Sequence, residues 1–426
     1  MRRALLTGTL AAATLALHVS AASAAPSVQY GIQDDAWVAS GPGTLSSRLD
    51  RLQSLGVTIV RYTVHWNEVA PRRPVRALQV DDPAYRWDLV DPVLQGLHER
   101  GIQTVVTLVG TPKWANGGKQ PNVAPASGST FASFAYAVAK RYPFVRRWTI
   151  WNEPNQRLSL AATTPRLYVT RLLNPAYAAI HRANPRALVA GGVTAPRGNV
   201  GGVGPLAWIR GMKAAHARLD AYAHNPYPTR PGTESPLQGA CAACDVISMA
   251  NLDRLLAEVR TDFGGKQIWL TEYGYQTNPP DPWLGVTPAQ QALYVSEAAL
   301  RAYQEPHVTM LIQYLLQDEP DVARWQSGLL TARGVQKPSY TAFRLPLAQV
   351  TRRGTRTVVW GQVRPGKGLR PYRLQVVSGG EWRWLGSTLS TNSSGFFSRT
   401  LNLRAGSLVR AVSAQQHTYS WPLLVR

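Results

Sequence analysis

Eight short runs of β-branched and aromatic residues recur between positions 28 and 316, and nearly all are followed by a longer amphipathic stretch. The strand-like runs lie at 28–32, 57–64, 102–109, a fourth opening at Trp148, then 187–193, 219–223, 267–271 and 308–316. Helical periodicity fills 45–55, 85–100, 131–142, 164–182, 206–216, 247–263 and 287–303, with a closing segment from 340. Strands this evenly apolar suit a parallel sheet covered on both faces. Parallel neighbours need a crossover, which the intervening helices supply. Eight such units predict a closed TIM (β/α)8 barrel. An open doubly wound sheet would carry a Gly-rich phosphate loop after its first strand, and Gly31-Ile32-Gln33-Asp34 is no such loop.

Past Val350 the helical period vanishes. Short alternating segments at 357–363, 372–377, 382–388, 396–401 and 407–412 stand between Gly, Ser, Pro and Asn turns. They predict a small all-β antiparallel sandwich packed on the barrel. The expected division is a leader at 1–25, a barrel at 26–348 and a sandwich at 349–426. Trp382 and Trp384 alternate on one strand and so share a face. With Trp360 and Trp421 they offer either a glycan-binding surface or a packing face, and packing on the barrel is the expectation.

The leader reads as a secretory signal. Arg2-Arg3 precedes an apolar stretch at 4–19 and a small-residue cleavage site, Ala22-Ser23-Ala24. That stretch is short for a stable membrane span, so a secreted, extracellular protein is expected. In that oxidising setting Cys241 and Cys244, the only cysteines, predict a small loop disulfide, and no metal site. The net charge is +22, from 46 basic and 24 acidic residues. It predicts attraction to anionic cell-envelope polymers. The basic residues are scattered in short pairs such as Arg72-Arg73 and Arg352-Arg353, without a basic helix, and nucleic-acid binding is not expected.

Two carboxylates stand out against this frame. The fourth run reads Trp148-Thr149-Ile150-Trp151-Asn152-Glu153-Pro154-Asn155, and Pro154 ends the strand by removing a donor and barring Glu153 from the helical region. The seventh ends Leu270-Thr271-Glu272-Tyr273-Gly274-Tyr275. In a TIM barrel both strand ends open on the same face, where active sites lie. Paired carboxyl groups in one cleft suit glycosidic cleavage, one protonated to release the leaving oxygen and one ionised to attack.

Asn152-Glu153-Pro154 after one strand and Glu272 in Thr-Glu-Tyr-Gly after a later one resemble the clan A retaining glycoside hydrolases, the cellulases, mannanases, xylosidases and their relatives. The resemblance runs from about Tyr30 to Pro346. It implies Glu153 as general acid/base, Glu272 as nucleophile, and Asn152 as a partner of the sugar 2-hydroxyl. Arg61, in Val60-Arg61-Tyr62, resembles the arginine that keeps the nucleophile ionised. His224 and Tyr227 fall where such enzymes place groups beside the nucleophile, and Tyr275 either bonds Glu272 or lines the cleft. Trp114 is a candidate sugar platform, with Trp37 a weaker one. One departure is clear: the tryptophan usual at the end of strand eight is missing, and Gln313, Tyr314, Gln317 or Trp325 must take its place. The resulting expectation is a secreted glycosidase acting on a plant or microbial polysaccharide or oligosaccharide without a cofactor. Its alternative is a barrel with lost catalysis that binds cell-surface glycan.

Overall fold

The computed structural model describes residues 27–426, apart from 414 and 416. The leader expected at 1–25 lies outside the described residues. Eight parallel strands close into a barrel in sequence order: β1 (Gln29–Gln33), β2 (Ile59–His65), β3 (Gln103–Val109), β4 (Arg147–Ile150), β5 (Leu188–Thr194), β6 (Ala221–His224), β7 (Gln267–Tyr273) and β8 (Val308–Tyr314). Ile59, Val105, Ala190, Ala221, Ala223, Trp269, Met310 and Ile312 form a cluster drawn from the strands alone, which is the filled barrel interior. Two residues further along their strands, on the same side of the pleat, come Arg61, Thr107 and Tyr314. An apolar plug therefore carries a polar layer at the C-terminal mouth.

The helices follow the expected order, and prolines account for two of the differences. The segment at 85–100 divides into a single turn, Trp87–Leu89, and a helix, Asp91–Glu99, whose first turn holds Pro92. The segment at 164–182 loosens into a π-turn at Val169–Leu173, just before Pro175, whose ring nitrogen has no hydrogen to donate backwards.

The C-terminal region is two antiparallel sheets. One holds β9 (Leu347–Arg353), β10 (Arg356–Gln362) and β13 (Phe396–Asn402) in the order β13-β10-β9. The other runs β12 (Glu381–Ser390), β11 (Pro371–Ser378), β14 (Leu408–Ser413), β15 (Thr418–Tyr419), with β16 (Leu423–Leu424) also pairing β14. Strand β9 was not expected, because its apolar start follows the closing helix without a break. Leu347, Val359, Tyr372, Leu374, Phe397, Val409 and Ala411 pack between the sheets. The three-stranded sheet meets the barrel: Trp360 and Phe396 pack on Tyr303, and buried Arg364 lies over the rings of Tyr30 and Phe343. Trp360 thus packs as expected, and Trp421 packs partly buried against the same core. Trp382 and Trp384 do not. The second sheet turns its other face to the core, and Trp384 is left 48% exposed.

Cys241 and Cys244 are joined in a disulfide, as expected. Among the described residues no helix is long and apolar enough to cross a membrane, and no group of three or more His, Cys, Asp or Glu side chains could hold a metal ion.

Candidate active site

At the end of β4 the backbone enters the left-handed region twice, at Trp151 (φ 67°) and Glu153 (φ 45°). The extended geometry that Pro154 implied for Glu153 is therefore not what the chain adopts. Neighbouring Val193 has φ 47° at a register shift in β5, and its carbonyl accepts from the Glu153 N–H at 2.9 Å. Such conformations cost roughly 1–3 kcal/mol each in residues with a Cβ and persist only where surroundings overdetermine them. Here the surroundings do. The Trp151 N–H donates to the Leu108 carbonyl at 2.9 Å and its indole to Ser159 at 2.8 Å. Fully buried Asn155 accepts from the Ala195 N–H at 2.8 Å and donates to the Val203 carbonyl at 3.0 Å.

Glu272 reaches the mouth by another route. Its alternation along β7 would turn it from the interior, but the register against β8 shifts between Leu270 and Tyr273, and the extra residue re-aims it. There it forms an ion pair with Arg61, which is fully buried. The Arg61 guanidinium also donates to Gln33 Oε1, to Thr107 Oγ1 at 2.9 Å and to Asn152 Oδ1 at 2.8 Å. The second Glu272 oxygen accepts from the Tyr227 hydroxyl at 3.0 Å. The carboxylate is thus held by a cation and a phenol, and its orientation is fixed.

Glu153 has no cation in contact. Asn225 Nδ2 donates to its Oε1 at 3.1 Å, and Asn225 Oδ1 in turn accepts from Thr271 Oγ1 at 2.7 Å. Burial first, then the Glu272 charge, pushes the Glu153 pKa up to about 7, against the opposing pull of Asn225 and Arg61. Asn152 spends its carboxamide oxygen on Arg61 and, at 3.4 Å, on Asn225. Its NH2 is the group left to meet a ligand.

Both glutamates line a cavity of about 470 Å³, with Asn152, Gln33, Tyr227 and Tyr275. Of the four candidates for the place of the missing strand-eight tryptophan, Tyr314 and Trp325 line this cavity, and with Tyr227 they form an aromatic trio at centroid separations of 5.1–6.3 Å. Gln313 instead bonds the Tyr314 and Ser327 carbonyls, and Gln317 turns away to Ala332. Trp325 rides on a loop held beneath by a buried ion pair. Lys337 Nζ donates to the Asp318 carboxylate at 2.7 Å, to Thr277 Oγ1 at 2.9 Å and to the Gln326 carbonyl at 3.1 Å.

Other candidates fall elsewhere. His224, fully buried, bonds Thr194 Oγ1 at 2.8 Å and the Ile247 carbonyl at 3.1 Å, away from both glutamates, and burial lowers its pKa to about 4. The strand pleat explains this, since it turns Asn225 inward and His224 outward. Tyr275 lines the cavity, but its hydroxyl goes to the Glu234 carbonyl at 2.7 Å and not to Glu272. Trp114 stands edge-on against Trp66 and donates to the Ala70 carbonyl at 2.8 Å, outside the cavity lining. Trp37 is core. The sequence reading passed over Asn225 and Gln33, which sit one residue from His224 and from Ile32 in runs read only as strand ends.

No protein-family model matches the chain, and no curated protein matches it by sequence. Solved structures do match. A family 39 glycoside hydrolase from the gut symbiont Bacteroides cellulosilyticus WH2 superposes with a TM-score of 0.61 at 18% identity, covering 90% of this chain and 80% of that one. GH5_18 from Streptomyces cattleya, solved in complex with GlcNAc, gives 0.55 at 17% identity over 75% of this chain and 79% of its own. CelM2, a bifunctional glucanase-xylanase protein from a metagenome library, gives 0.52 at 13% identity over 91% and 96%. The chain has the fold that these glycoside hydrolases share.

Proposed function

We propose that this protein is a secreted retaining glycoside hydrolase, with Glu272 as nucleophile and Glu153 as acid/base. The observation that carries the reading is the unequal setting of the two carboxyl groups. Glu272 lies against the Arg61 guanidinium, and Glu153, without a cation in contact, has its pKa raised to about 7, so that it keeps its proton on the acid side of neutrality. In the first step the Glu272 carboxylate attacks the anomeric carbon, forming a glycosyl ester, while Glu153 gives its proton to the departing oxygen. The ester has no negative charge, so one of the two causes raising the Glu153 pKa vanishes. Glu153 is then suited to take a proton from water, whose oxygen displaces Glu272 from the sugar. Asn152, with its NH2 unspent, is placed for the sugar 2-hydroxyl, and Tyr314 and Trp325 form the ring's apolar wall.

Export rests on the charged, apolar and small-residue order of the first 25 positions and on the Cys241–Cys244 bridge. The substrate class is a plant or microbial polysaccharide or the oligosaccharides derived from it. The deciding experiment is Glu272→Ala assayed on activated aryl glycosides with and without azide. Turnover should vanish and azide should restore part of it, yielding a glycosyl azide of inverted configuration. A Glu272→Ala protein that hydrolyses at full rate removes Glu272 from the mechanism.

A further inference from the structure

The outward face of the five-stranded sheet gathers several arginines and aromatic rings. Residues opposite one another across a sheet point the same way. Trp384 faces Gln375, which faces Arg410, and Arg373 faces Val412, which faces Tyr419. The Arg373 guanidinium lies 3.8 Å from the Trp384 ring centre, and that of Arg410 lies 4.2 Å from Trp382 and 4.4 Å from Tyr419. Aromatic rings and guanidinium planes therefore interleave over one exposed face, where Trp384 and Tyr419 are each 48% exposed.

Its charge is unbalanced. Positions 349–426 hold twelve Arg or Lys against the single Glu381, a net +11 of the chain's +22. Among the described residues the one ion pair within this region is Arg383–Glu381. Neither Arg373 nor Arg410 meets a carboxylate. A cation held on aromatic rings, with no acid to neutralise it, is complementary to an anion brought by a partner.

We infer that this face docks an acidic polysaccharide whose sugar rings carry carboxylates. A uronic acid unit offers both matching chemistries at once: a C–H face to lie on an indole and a carboxylate for the guanidinium fork. Trp384 and Arg410 are two strand spacings apart, roughly 9–10 Å, comparable with the reach of two linked sugar units along a chain. This surface is on the outer sheet, remote in sequence and sheet from the barrel mouth, and it holds polymer without turning it over.

Affinity electrophoresis of the full-length Glu272→Ala protein through polygalacturonate, with neutral galactan as control, tests the proposal. Retention needs no turnover, so its result is read separately from the role of Glu272 as nucleophile. Polygalacturonate should retard the protein and galactan should not. Trp384→Ala and Arg373→Gln/Arg410→Gln should each weaken retardation by about tenfold, and Trp384→Tyr should recover most of it. Thermal melts confirm folding. Should Trp384→Ala not fold, the double arginine variant, which leaves the inner face untouched, decides alone. Equal retardation by galactan, undiminished binding in the arginine variant, or binding to anionic phospholipid vesicles or DNA that exceeds polygalacturonate would overturn it.

Discussion

The tips of β4 and β7 end in the same side chain and treat it in opposite ways. At β7 the chain accommodates Glu272 through an extra residue in the ladder, and a buried arginine and a tyrosine hold the carboxylate. At β4 the backbone itself is bent out of its preferred region, and the carboxyl receives only a neutral amide. One residue type is thus set against a cation at one tip and kept from contact with one at the other, where burial raises its pKa to about 7.

The comparison breaks most visibly if Glu153→Gln behaves like a structural change. It should lower kcat/KM by about 10²–10⁴-fold on alkyl or sugar leaving groups, and far less on dinitrophenyl glycosides, whose leaving group needs no proton. An equal loss on both substrates would deny Glu153 its role. Tyr227→Phe comes next. It removes one hydrogen bond to a charged oxygen, about 1.5–3 kcal/mol, and should lower kcat/KM by roughly 10- to 100-fold with little change in melting temperature. A variant as active as the parent would leave the phenol without a function at Glu272.

Acidity gives a third contrast. With Glu153 at about 7, kcat/KM should fall above neutral pH as the acid loses its proton, and Glu153→Ala should lack that limb on activated substrates. A limb that survives in Glu153→Ala belongs to another group. The smallest effect is on stability. The folded pKa lies above the unfolded value of about 4.3, so the folded state binds more protons in between. Stability from this group is full below the unfolded value and is lost as pH rises through about 7. Glu153→Gln escapes that loss. Its melting temperature should exceed the parent's by a few degrees at pH 8 and converge on it at pH 4, and a gap independent of pH would exclude the buried acid as its source.

The sequence was most readable where chemistry follows the backbone period. The eight β-branched runs fell on the eight strands, and the glutamates, Arg61 and Tyr227 meet in one mouth because strand ends do. Reading failed where one residue of register decides the side. His224 and Asn225 are adjacent, and the pleat gives the contact with Glu153 to Asn225. It failed again where a partner surface decides. Trp382 and Trp384 share a face by alternation, but which face meets the three-stranded sheet depends on Tyr372, Leu374, Val409 and Ala411 filling the gap first. Trp114, in the same way, was claimed by Trp66 before any sugar.

The loop bearing Trp325 is fastened to the barrel by Lys337, whose ammonium grips Asp318, Thr277 and the Gln326 carbonyl beneath it. Glu272 sits in a strand and Glu153 just past the end of one, whereas the Trp325 indole sits on an appendage with its own anchor. Under the roles proposed for these residues, substrate preference and chemistry would be separately heritable. Descendants of this chain could then trade one loop for another between Asp318 and Lys337, acquire a taste for a different sugar, and keep both glutamates untouched.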